Sequence, residues 1–326
     1  MSAIDRRQFL ERMLALGGTA LATAAFLSLL SCSKEPTPEP PSDNTTPTPI
    51  LPPPGDAAYL AVARGDSPTT LVQRSVDALG GMGRFVKPGN SVIIKPNICA
   101  AGRTPEYAAT TNPEVVAALV ALCLGAGAKR VRVMDNTFSG TAEEAYVTSG
   151  IAEAVRKAGG EMEVMTSMKF QNTPIPNGQS ITSCRVYNDI VETDVLIDVP
   201  IAKHHSMARL TLGMKNLLGV VSNPGSYHTD MAERVTDLTS LVMPDLTVVD
   251  AVRILMNNGP TGGNLNDVKR MNTVIASHDI VAADSYAATL FGKTALDVPI
   301  VHAGARRGLG TMDLDPSNIK IEEIAA

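Results

Sequence analysis

The chain has 326 residues, a formal net charge of −5, no Trp, six Tyr and six Phe. An acidic balance offers no electrostatic footprint for nucleic acid, whose binding domains carry clustered Lys and Arg. So few aromatic rings leave little stacking surface for a carbohydrate.

The first segment reads as targeting sequence rather than fold. Asp5-Arg6-Arg7-Gln8-Phe9-Leu10 is similar to a twin-arginine export motif, with Asp5 and Glu11 at positions more often Ser and Lys. The apolar stretch Met13 to Leu30 then meets Leu29-Leu30-Ser31-Cys32, a lipobox pattern whose Cys32 would become the lipidated first residue. A single membrane-spanning anchor is the alternative, since roughly 18 apolar residues just cross a bilayer. The paired arginines and the small-residue/Cys boundary favour cleavage. Lys34 to Asp56 is rich in Pro, Thr, Ser and acidic residues, cannot build a core, and reads as an extended tether. The expected organisation is a signal peptide at 1–31, a tether at 32–57 and one domain at 58–326. Twin-arginine export carries folded proteins, so a cofactor inserted before export is compatible with this reading. The protein is expected outside the cytoplasm, membrane-anchored through a lipid on Cys32.

Beyond the tether, short β-rich runs alternate with helical patterns. Strands are predicted at 59–63, 91–94, 130–134, 161–165, 194–199, 246–249 and 272–276. Helices are predicted at 69–79, 113–124, 151–158, 231–241 and 280–290, the second with Asn112 as N-cap and Pro113 at its first position. Alternation of this kind implies an α/β domain: a mainly parallel sheet with helices on both faces, Rossmann-like and three-layered. The near-continuous apolar runs around Ile94, Ile197 and Val249 fit strands buried on both sides.

In such sheets ligands gather beyond the carboxyl ends of strands and at helix N-termini. Lys95 and Asn97 end one predicted strand, Asp135 and Asn136 another, Lys203 and His205 a third, and Asp250 a fourth. Turn or capping chemistry is the plain alternative for Asp135 and Asp250. Thr111 lies in the loop opening the 113–124 helix, and Lys215 and Asn216 follow His205 closely. Gly259 belongs to a Gly-rich loop, Asn258 to Gly263, which lacks the Gly-Lys-Ser/Thr ending of a phosphate-binding loop. Buried ammonium groups need an anionic or polar partner, so clustered Lys and His point to a site.

After Cys32, only Cys99, Cys123 and Cys184 remain, without C-x-x-C spacing, so no intrinsic iron–sulfur cluster is expected. Cys123 reads as core, and Cys99, just after the Lys95-Pro96-Asn97 loop, is the one thiol of interest, with a free inert Cys the favoured reading. Asp284 could cap a helix, pair with Arg306 or Arg307, or reach the cleft; His278 and His302 read as packing or surface residues.

Lys203, His205, Thr211, Leu212, Lys215, Asn216, Leu217 and Gly219 together resemble the signature of the family called domain of unknown function 362. Ile93 to Asn97, Thr110 to Glu114, Val248 to Val252, Asn258 to Pro260, Asp279 and Asp284 add to that resemblance, which spans about 59–310. Some members of that family are fused to ferredoxin-like modules, which implies a possible redox partner. A fainter resemblance is to the N-terminal lobe of nickel-pincer lactate racemases. It rests on His205, on Lys215 ten residues later, and on the following His228, with Leu and Met replacing part of the Gly-rich stretch. That resemblance implies a cofactor on Lys215 and a metal at His205 and His228.

The leading expectation is therefore an enzyme acting on, or holding a cofactor for, a small anionic molecule. Lys95, Lys203 and Lys215 would supply positive charge, His205 would move a proton, and Asn97, Asn216 and Asp250 would orient. Two other readings stay open: a non-catalytic envelope protein binding a small molecule or metal, and an accessory to an iron–sulfur partner.

Overall fold

Alternate residues of the central strands face two different cores, so the sheet must be covered on both sides. The computed structural model describes residues 57–326. The expected signal peptide, Cys32 and all but the end of the tether lie outside the described residues. In chain order the strands are β1 (Leu60–Arg64), β2 (Ser91–Pro96), β3 (Arg130–Val133), β4 (Glu161–Met162), β5 (Phe170–Pro174), β6 (Ser183–Tyr187), β7 (Val195–Val199), β8 (Ile201–His205), β9 (Arg209–Thr211), β10 (Leu246–Leu255), β11 (Val268–Ser277) and β12 (Ile321–Ala325). The helices are α1 (Pro68–Ala78), α2 (Pro113–Gly125), α3 (Ala142–Thr148), α4 (Ile151–Lys157), α5 (Asn188–Glu192), α6 (Gly213–Asn216), α7 (Met231–Leu241), α8 (Ile280–Thr289) and α9 (Pro299–Arg306).

The main sheet runs β12-β1-β11-β10-β7-β2-β3-β4, with β8 beside β10 and β9 beside β8. Strands β10, β7, β2, β3 and β4 pair in parallel, while β11 is antiparallel to both β1 and β10. The expected mainly parallel α/β sheet is thus present, with β11 and the short β9 reversed. On β2, Val92 and Ile94 join a core with α1, α2 and α4, while Ile93 joins the core under α7, α8 and α9. That alternation is the period-two geometry of a strand buried on both faces. Asn112 caps α2 by accepting from Glu114 N, with Pro113 in the first turn as expected.

The structure departs from the sequence reading in places that matter for the site. Pro200, without an N–H, separates β7 from β8. Lys203 and His205 therefore sit on a second short strand beyond the buried one. β8 pairs with the upper part of β10, Ile201 opposite Asp250 and Lys203 opposite Leu255. β10 continues six residues past the expected end at 249, so Asp250 lies inside a strand and not at its end. The strand expected at 161–165 is only Glu161–Met162. The β5–β6 hairpin, β12 and α3, which is closed by a Thr141/Glu144 capping box, were not foreseen.

Candidate functional site

Five of the expected residues, Lys95, Asn97, Thr111, Lys203 and Asn216, meet in a buried hydrogen-bonded floor at the carboxyl edge of β2 and β7. Lys95, only 1% exposed, contacts Asp135 Oδ1 at 2.7 Å, just beyond β3. Its Nζ also donates to Pro96 O at 2.8 Å and Asn216 Oδ1 at 3.0 Å, so all three ammonium hydrogens are committed. Asn216 accepts a second bond from Asn97 Nδ2 at 2.8 Å and donates to Asp198 Oδ1 at 2.8 Å. Lys203 Nζ donates to Asn97 Oδ1 at 2.9 Å, Ala109 O at 2.7 Å and Cys99 Sγ at 3.3 Å. The hydroxyl of Thr111 accepts from Asn97 N and donates to Val199 O, both at 2.8 Å, tying the α2 loop to the end of β7.

The acids below the floor differ in their partners. Burial raises Asp135, and the Lys95 ammonium pulls it back, helped by Ile98 N at 2.6 Å and Asn136 N at 3.0 Å. Asp198, fully buried in β7, is raised well above the ordinary carboxylate range by burial, opposed by Lys95 and Asn216. Its Oδ2 has no hydrogen-bond partner among the described residues, and Asp284 and Asp135 add negative charge nearby. That environment disfavours the charged carboxylate. Asp198 escaped the sequence reading because it sits inside the apolar run of β7; an acid in a strand buried on both faces was the available signal. Gly219 is forced by the same packing, since a Cβ there would lie 1.9 Å from Asp135 Oδ1 and 2.7 Å from Lys95 Nζ.

Lys215, His205 and His228 form the rim. Lys215 projects from α6, a single turn whose N–H groups are fixed by Asp284, from Gly213 N at 2.6 Å and Met214 N at 2.9 Å. Asp284 is therefore a cap; burial pushes it up to about 7, and Arg306 and Arg307 pair with Glu233 and Asp237 instead. Lys215 makes no hydrogen bond or ion pair among the described residues. Burial, then Lys203 and Lys95, push its pKa down to about 8. His205 Nδ1 accepts from Met207 N at 3.2 Å and Ala208 N at 3.3 Å, which assigns its ring proton to Nε2. Burial, then Lys215 and Lys203, hold His205 down to about 3, so the ring is neutral near pH 7. His228, exposed on the Pro224–His228 turn, is lowered by partial burial and by Lys215.

Two expected residues lie apart. Asp250 accepts from Asn112 N at 2.7 Å and Val252 N at 3.0 Å, and burial pushes it up to about 6. It positions the Thr111–Asn112 loop without touching the lysines. Gly259 packs on the other face of β8, its N–H meeting His204 Nδ1 at 3.2 Å. A Cβ on Gly259 would come within 1.8 Å of His204 O, so this close approach needs glycine. The three described thiols are buried separately: Cys99 in the floor, Cys123 against Met82, and Cys184 on β6. Cavities of about 540 Å³ and 290 Å³ open elsewhere, one along α1 and β12, the other beside the β5–β6 hairpin; neither is lined by the lysines.

Every floor and rim residue falls inside residues 92–289, the span matched by the family model described as "Domain of unknown function (DUF362)". The chain belongs to the DUF362 family. The thylakoid-associated protein sll1697 of Synechocystis sp. is 29% identical over 251 residues, covering 72% of this chain and 73% of that protein. Among solved structures, the lactate racemase apoprotein from Thermoanaerobacterium thermosaccharolyticum is similar at 12% identity and a TM-score of 0.44, covering 68% of this chain and 54% of that one. A protein from Thermotoga maritima is similar at 11% identity and a TM-score of 0.43, covering 70% of this chain and 60% of that one. The DUF362 chain thus spans between about half and three-fifths of those two structures, and likeness at that level carries no chemistry across.

Proposed function

We propose that this DUF362 protein binds a small carboxylate- or phosphate-bearing molecule whose anion pairs with the Lys215 ammonium. The observation behind this reading is a largely buried ammonium without a hydrogen-bond or ion-pair partner among the described residues, beside two lysines whose donors are all committed. An anion would neutralise the excess charge and fill the free donors. With a pKa of about 8, roughly nine-tenths of Lys215 carries its charge at pH 7 and can pair with an anion. His205 then serves as a neutral Nε2 donor to the ligand, a narrower role than the proton shuttle expected from its residue type. Calorimetric titration with succinate and inorganic phosphate tests this: Lys215→Ala should lose binding at Lys215 while keeping its thermal unfolding transition. Binding equal to that of the parent protein would remove Lys215 from the site.

The non-catalytic reading draws its support from the same low pKa of His205, because a ring that stays neutral moves no proton. Proton release measured on ligand binding in two buffers separates the two readings. For a metal, the donors do not fit a bare ion. Among the described residues no three His, Cys, Asp or Glu side chains gather to hold one, and the neighbouring lysines repel a dication. A metal at His205 and His228 would have to arrive as an anionic complex, and metal analysis of the exported protein checks that. Export and lipidation at Cys32 rest on the Arg6-Arg7 and Leu29–Cys32 patterns alone; intact mass of the mature protein is the test.

A further inference from the structure

We propose a second oxyanion site, distinct from the lysine cluster, in the cavity beside the β5–β6 hairpin. The cavity holds about 290 Å³, near the lower end for small-molecule pockets. Its walls come from β6, from the Val221–Tyr227 segment and from Arg234 on α7. Two guanidinium groups, Arg185 and Arg234, line it, and no acidic residue does.

Neither arginine has a carboxylate partner among the described residues. Arg185 donates only to Phe170 O at 3.0 Å, and Arg234 only to Ser226 O at 2.6 Å. The Nε of Arg234 is buried and unpartnered. The hydroxyl of Tyr227, a residue 3% exposed, has only the Cys184 thiol as a weak partner. Burial raises both the thiol and the phenol, so each is neutral at pH 7 and adds no anion. Ser222 and Asn223 complete a lining of donors.

Unpartnered buried donors are rare in folded proteins because each forfeits the hydrogen bonds it made in water. The unpartnered Arg234 Nε and a phenol held only by a thiol, at a cavity that Arg185 also lines, mark a site built for an acceptor-rich anion. Guanidinium forks match the paired oxygens of carboxylate and phosphate. The ligand class is therefore a small molecule bearing one such group. Its phenol contact would be a donated Tyr227 hydrogen bond. This site is not a lobe of the lysine cluster. The Pro224–His228 turn separates the two: Tyr227 faces this cavity, while His228 interacts electrostatically with Lys215.

The test is calorimetry on the full chain with inorganic phosphate and with succinate as probes, on the parent, Arg185→Gln/Arg234→Gln and Lys215→Ala. At least one probe should bind the parent at a site that Lys215→Ala leaves intact. The double Gln variant should weaken that site about tenfold or more, the scale of losing charge-assisted hydrogen bonds. The stronger probe tells phosphate from carboxylate. If Arg234→Gln disturbs folding through its Ser226 contact, Arg185→Gln alone is read, because Arg185 is exposed and tethered by one backbone bond. No binding of either probe at millimolar concentration overturns the proposal. So does binding lost in Lys215→Ala but kept in the arginine variants.

Discussion

Lys95 and Lys215 stand one residue from the same amide, Lys95 bonded to Asn216 and Lys215 preceding it, yet they do opposite things. On the floor, Lys95 has an acid and two carbonyl oxygens, and its charge is built into the fold. On the rim, Lys215 has neighbours of its own sign and no acceptor among the described residues, and burial lowers its pKa to about 8. A buried lysine is structural when its hydrogens are committed and reactive when they are not. Residue type is shared and Lys215 is only somewhat less buried; the hydrogen-bond inventory separates them.

The largest effect should come from the floor. Lys95→Met leaves Asp135 buried with only its backbone donors, and breaking a buried pair on one side typically costs about 3–5 kcal/mol. Urea unfolding at pH 7.5 measures it. A loss below about 1 kcal/mol would mean that Asp135 is neutral in the parent and that the floor is not an ion pair.

Lys215→Met should act in the opposite sense on stability. The side chain ionises at 10.5 in the unfolded reference and at about 8 when folded, so the unfolded chain holds the proton more tightly. Folding is therefore disfavoured below about pH 8, and the penalty fades as pH rises to about 10.5. The pH 8 to 10.5 window should add on the order of 3 kcal/mol to the parent relative to the Met variant. Parallel stability curves across that window would show that Lys215 has a partner and belongs with the floor.

That contrast was only partly legible in the sequence. Lys95, Lys203 and Lys215 could be found because each follows an apolar strand or falls in a recognisable segment. Their division into floor and rim could not, because it depends on Pro200 redirecting the chain and on Asp135, Asn97 and Asn216 arriving from three separate elements. Asn112-Pro113 announced α2 because capping is local chemistry. The β8–β9 hairpin was missed because His204 to Arg209 holds no Gly or Asn turn signal, its left-handed residue being Arg209. Asp250 was read as a strand end because the apolar run stops at Val249. The strand continues because β8 and β11 supply its partners, a tertiary fact.

Gly219→Ala tests how tightly the floor is packed. The added methyl would overlap Asp135 Oδ1 and crowd Lys95 Nζ, so overpacking should cost about 1–3 kcal/mol in chemical unfolding. Binding at Lys215 should weaken less than in Lys215→Ala, because the rim donors remain in place. A variant as stable as the parent would show that Asp135 can shift without losing Lys95, and the floor would then be softer than its distances imply.

The smallest effect belongs to an ion pair that shares the floor's chemistry but none of its burial. Arg130 and Glu161 meet at 2.6 Å on the β3–β4 edge, closer than Lys95 and Asp135, with both side chains about half exposed. Water and salt screen such a pair, so Glu161→Gln should change unfolding free energy by less than about 0.5 kcal/mol. If Glu161→Gln instead rivalled Lys95→Met, distance and not desolvation would govern these pairs. The floor could then no longer be set apart from the surface by burial, nor the rim from the floor by unmet hydrogen bonds.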